Sequence, residues 1–96
     1  MRDLTQLRRE LDQLDRELAS LALRRMAVAE EVAAYKQAHS LPILDAAREA
    51  EVLRSRAALG GNPVEEEELK QLFTLLMRLS RQRQAAVMER AGERHA

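Results

Sequence analysis

The chain has no cysteine, no tryptophan, only two aromatic side chains, and no excess of charge of either sign. Without cysteine there is no disulfide framework, no thiol chemistry and no thiolate metal site. With only Tyr35 and Phe73 there is no platform on which nucleic-acid bases could stack. Sixteen Lys and Arg balance sixteen Asp and Glu, so no global field draws in nucleic acid or an anionic membrane. No uninterrupted apolar run approaches the roughly 20 residues needed to span a bilayer. The opening Met1-Arg2-Asp3-Leu4 lacks the apolar centre of a signal peptide, so a soluble cytoplasmic protein is expected. Two histidines, His39 and His95, stand far apart without matching carboxylates, so no metal is expected. Both are expected at exposed helix ends.

What is present is helical periodicity. Proline and glycine are scarce, and they divide the 96 residues into three segments forming one small domain. The first helix is expected over about residues 4–40, capped by Asp3 or Thr5 and ended by Leu41-Pro42. The second spans about 46–59, from an N-cap at Asp45 to Gly60-Gly61. The third spans about 63–91, opening at Asn62-Pro63 with Glu65 to Glu68 on the positive end of the helix dipole. Its apolar face reads Leu69, Leu72, Phe73, Leu76, Leu79 and Val87, and the tail past Ala91 is expected to fray. Met26, Met77 and Met88 are assigned to packing.

The first helix carries two messages. Leu4, Leu7, Leu11, Leu14, Leu18 and Leu21 alternate spacings of three and four, a rhythm resumed at Val28, Val32 and Tyr35. That spacing defines one buried stripe. About 36 residues at 1.5 Å rise span roughly 54 Å, whereas a compact domain of this size has a radius of gyration near 12–13 Å. Two shorter helices cannot cover such a stripe, so a second copy under two-fold symmetry is expected. The slot the stripe skips holds Arg25. A guanidinium there requires an anion, from the protein or from a ligand, because an unpaired buried charge is very costly.

Other polar residues border the apolar faces. Arg8 and Lys36 flank the same edge of the stripe but lie about 42 Å apart along the helix. In an antiparallel pair of first helices with its axis near residue 22, Arg8 of one chain would face Lys36 of the other. Ser80 and Gln84 share a face of the third helix with Phe73 and Met77. Asp45, Arg48 and Glu49 fall at the start of the second helix. Each has a plainer reading: an interhelical salt bridge for Arg25, solvated flank or surface charges for Arg8, Lys36, Arg48 and Glu49. For Asp45 it is a simple N-cap, and for Ser80 and Gln84 interface polarity.

Taken together, these segments resemble the all-helical chorismate mutase family. Leu7-Arg8 with Leu14-Asp15 resembles the family's opening, and Arg25 and Lys36 occupy its two cationic positions on the long helix. Pro42-Ile43-Leu44-Asp45-Ala46-Ala47-Arg48-Glu49 resembles the signature Pro-x-x-Asp-x-x-Arg-Glu, and Leu72-Phe73 with Ser80 and Gln84 resembles the third-helix motif. The resemblance covers about residues 4–88 and implies an intertwined helical homodimer with shared sites. It implies rearrangement of chorismate to prephenate, a pericyclic step that needs no nucleophile, metal or cofactor. It assigns Arg25, and Arg8 from the partner subunit, to the substrate carboxylates, with Arg48 and Ser80 assisting. Lys36 and Gln84 are placed at the ether oxygen, and Glu49 with Asp45 at the ring hydroxyl. Two alternatives stay open on the same scaffold: an isochorismate pyruvate-lyase and a non-catalytic dimerisation or regulatory module. The Arg48-Glu49 pair favours the mutase, because the lyase branch does not keep a carboxylate after that arginine.

Overall fold

A computed structural model describes residues 1–95, with side chains through Gly92. The chain forms three α-helices, α1 (Leu4–Ala38), α2 (Ala46–Ala57) and α3 (Pro63–His95), with no strand among the described residues. No helix of these residues is long and apolar enough to cross a membrane.

Local chemistry sets the boundaries. Asp3 caps α1 through a reciprocal box: its carboxylate accepts the Gln6 N–H at 2.8 Å while the Gln6 side chain accepts the Asp3 N–H at 3.0 Å. At the other end α1 stops at Ala38, two residues short of the expected Ser40. The stop is a Schellman turn rather than Pro42 acting alone. The Leu41 N–H bonds to the Lys36 carbonyl at 2.8 Å, the Ser40 N–H bonds to the Gln37 carbonyl at 3.3 Å, and Ser40 takes the left-handed conformation at φ 54°. His39, exposed as expected, forms the C-cap and stacks on Tyr35.

Asp45 caps α2 by accepting the Arg48 N–H at 3.0 Å. This helix ends at Ala57 rather than 59, because the Leu59 and Gly60 N–H groups turn back to the Arg56 and Ala57 carbonyls. Asn62 caps α3 by accepting the Glu65 N–H, and the Glu65 carboxylate accepts the Gly61 N–H at 2.7 Å. Gly60 is required by proximity: a Cβ there would lie 2.8 Å from the Glu66 nitrogen. Beyond Ala91, α3 continues helical to His95, past its expected end. The expected exposure of the His95 side chain lies outside the described residues.

Both α1 and α2 pack on α3 rather than on each other. Small side chains make these approaches close, since the buried apolar residues are Ala29, Ala33, Val52, Ala57 and Met77. The expected apolar face of α3 is partly displaced. Phe73, Leu76 and Leu79 are half-buried but Leu72 is exposed, and the deepest α3 positions are Met77 and Gln84. On the far edge of the α1–α3 contact Glu30 pairs with both Arg83 and Arg90, a solvated pairing that contributes little.

The N-terminal half of α1 stands clear. Leu4, Leu7, Leu11, Leu14, Leu18 and Leu21 are all exposed, and no large side chain is fully buried anywhere in the described chain. The radius of gyration is 17.3 Å and the extents are 61 × 28 × 14 Å, well above the roughly 12–13 Å of a compact domain of this length. A single copy leaves its longest apolar stripe in water.

Candidate active site

Because α1 and α2 touch α3 but not one another, a cleft of about 290 Å³ opens between them with α3 as its floor. Seven of the eight site residues expected from the sequence line it: Arg25 and Lys36 from α1, Asp45, Arg48 and Glu49 from the start of α2, and Ser80 and Gln84 from α3. The eighth, Arg8, is exposed and does not line it, as the length of α1 requires for its own chain. Val28, Ala29, Val32, Ile43, Val52 and Met77 supply the apolar walls.

Three of these side chains form a chain of hydrogen bonds. Lys36 Nζ donates to Gln84 Oε1 at 2.9 Å and to the Ile43 carbonyl oxygen at 2.5 Å, and Gln84 Nε2 donates to Ser80 Oγ at 3.1 Å. The Schellman turn makes this possible by folding the chain back so that Ile43 lies beside Lys36. Gln84 is 5% exposed, and its orientation is fixed chemically, because an ammonium offers only donors and must face the amide oxygen. An ammonium has three N–H groups and a primary amide two. One donor on Lys36 and one on Gln84 therefore remain after the protein's own bonds are made.

Arg25 is half-buried at the mouth, and among the described residues no carboxylate pairs with it. The plainer reading, an interhelical salt bridge, therefore finds no partner for Arg25 within this chain's described residues. Arg48 pairs with Glu51 at 2.7 Å on the exposed side of α2, a contact weak enough to be given up. Four cations (Arg25, Lys36, Arg48, Arg81) and two carboxylates (Asp45, Glu49) line the cleft. Four minus two leaves a formal charge of +2, the complement of a dicarboxylate.

The sequence reading missed Arg81. It lines the cleft and forms an ion pair with Glu49, joining α3 to α2. The signal was available: Met77, Ser80, Arg81 and Gln84 are spaced i, i+3, i+4, i+7, so a face holding three of them holds the fourth. Among the described residues no three metal-donor side chains cluster.

Over residues 7–85 the chain matches the family described as chorismate mutase type II, and it belongs to that family. No curated protein and no solved structure matches it.

Proposed function

We propose that the protein is a cytoplasmic chorismate mutase, acting as an intertwined homodimer with two shared sites. The observation that carries this reading is the cleft itself, where spare donors on Lys36 and Gln84 sit within a net positive, partly apolar cavity. In the rearrangement the ether C–O bond breaks as a new C–C bond forms, and negative charge grows on the departing oxygen. Donors aimed at that oxygen lower the barrier because they act most strongly in the transition state. Arg25, with Arg8 of the partner subunit, holds the two substrate carboxylates, for which a guanidinium fork is geometrically suited, and Arg48 assists. Ser80 stands beside Gln84 to assist them. The apolar walls hold the reacting ends in the folded conformer, an entropic contribution that needs no covalent step. Asp45 and Glu49 accept the ring hydroxyl.

The exposed stripe of α1 and the position of Arg8 support the dimer. An antiparallel partner would cover Leu4 to Leu21 and bring its own Arg8 towards Lys36, adding one more cation at the carboxylates. The direct test is incubation with chorismate, following loss of its ultraviolet absorbance and identifying the product. Prephenate supports the mutase. Elimination of pyruvate from isochorismate with chorismate untouched would make it the lyase, and inertness towards both would make it a binding module.

Subunit sharing has its own test. Arg8→Ala and Lys36→Ala homodimers should each be nearly inactive. In a mixed dimer both lesions fall in one site and leave the other intact. Random pairing makes about half the dimers mixed, so refolding the two together should restore roughly a quarter of wild-type activity. No recovery with mixed dimers confirmed would place Arg8 outside the partner's site.

A further inference from the structure

We infer that Arg81 is a positioning residue that fixes Glu49 as the acceptor for a ring hydroxyl, and so sets which dicarboxylates the cleft accepts. The inference rests on the mutase reading and adds to it a residue that the family signatures in the sequence did not single out.

Three observations carry it. First, the Arg81–Glu49 pair is the least exposed ion pair among the described residues, with side chains 35% and 24% exposed against 53% and 57% for Arg48–Glu51. A partly shielded pair holds its geometry better than a solvated one. Second, the two carboxylates at the start of α2 are not equivalent. Asp45 already spends an oxygen on the Arg48 N–H as N-cap, whereas Glu49 is held from across the cleft floor by α3. Third, Arg81 Nη1 engages Oε1 of Glu49, and within the described residues nothing bonds to Oε2. Arg81 therefore holds the carboxylate by one oxygen, and the other is left without a protein partner on a residue that lines the cleft.

An ionised carboxylate accepts hydrogen bonds and donates none. Fixed at this wall, it favours a ligand that presents a hydroxyl donor there, and it disfavours a carbonyl or a second anion at the same place. The hydroxyl takes no part in the bonds that form and break, so its recognition is equal in ground and transition states. Loss of such an interaction raises KM and leaves kcat nearly unchanged.

The test uses the whole chain, with Arg81→Met, Arg81→Lys, Glu49→Ala and the Arg81→Met/Glu49→Ala double variant. Each is assayed with chorismate and with the analogue in which hydrogen replaces the ring hydroxyl. Arg81→Met should lower kcat/KM for chorismate about tenfold to a hundredfold, the range of one hydrogen bond to a charged group, almost wholly through KM. With the deoxy analogue the same variant should match wild type. The double variant should be no worse than Glu49→Ala, since Arg81 acts through that residue. Arg81→Lys, which keeps the charge without the fork, should recover part of the loss. Thermal melts by circular dichroism identify any variant that fails to fold, in which case Arg81→Lys against the two substrates decides. Equal losses on both substrates would overturn the positioning role and make Arg81 a carboxylate ligand or a structural tie. A wild type that leaves chorismate untouched would defeat the mutase reading, and the hydroxyl role with it. A wild type that turns chorismate over while Arg81→Met behaves like it on both substrates defeats the Arg81 inference alone.

Discussion

The two halves of α1 obey the same apolar rhythm and meet different fates. From Leu4 to Leu21 the spacing is unbroken, and every leucine of the stripe is exposed. From Arg25 to Ala38 cations interrupt or flank the pattern, yet here lie the only buried residues of the helix, Ala29 and Ala33, and one wall of the cleft. Regularity in the first half leaves an apolar surface that the chain's own helices do not cover. Irregularity in the second coincides with the cleft.

The largest expected effect comes from breaking the regular half. Leu11→Glu/Leu18→Glu puts two carboxylates into the uncovered stripe, and fully burying a leucine contributes about 1.5–3 kcal/mol. Sedimentation should show monomer in place of dimer, with helicity reduced and mutase activity abolished. A fully active monomer, in this variant or the wild type, would sink the shared-site reading.

In the irregular half, Lys36→Ala should cost about 10²–10³-fold in kcat with a smaller change in KM, as for loss of one donor at a developing oxyanion. Gln84→Glu separates donation from packing, because its acid can donate only when protonated. Its activity should be low at pH 8 and rise as pH falls, while wild type shows no comparable gain. Wild-type rates from Gln84→Glu at pH 8 would remove the amide from the ether oxygen.

Arg25→Leu turns the comparison round by making the second half as regular as the first. With no carboxylate partner among the described residues, the guanidinium contributes nothing evident to the fold. The leucine variant should unfold about 1 kcal/mol less readily while losing activity. Lower stability in denaturant titrations would mean that Arg25 has a structural partner.

The remaining effects concern turns and touch stability alone. Gly60→Ala should cost about 1–3 kcal/mol, because its Cβ would press on the Glu66 backbone. Ser40→Gly should gain at most about 1 kcal/mol by relieving a left-handed serine. Both are read from thermal midpoints.

Much of this architecture was legible because caps and stripes are local. Asp3, Asp45 and Asn62 each accept the N–H three residues on, as their side-chain chemistry dictates. The end of α1 was misjudged by two residues because a Schellman turn usually carries glycine, and here serine adopts that conformation. The depth of Met77 and Gln84 was not legible either. Which side of α3 faces its neighbours depends on how α1 and α2 straddle it, and that is a tertiary matter. Arg81 was overlooked for a different reason, since its place on the face of Met77, Ser80 and Gln84 could be read from the spacing but its partner could not. In a chain one-third charged, an arginine beside a polar pair looks like ordinary surface until α2 supplies Glu49 opposite it.

The separation of α1 from α2 has a consequence for how the cleft could change over time. Two walls that share one floor have their spacing set by a single ruler, the α3 side chains at 77, 80 and 84. Met77 is the adjustable mark, an unbranched thioether that yields to its neighbours. Exchanging it for a smaller or larger residue would narrow or widen the gap without disturbing a joint between the walls, because they share none. The width of the cleft is thus open to one-residue steps along a single helix.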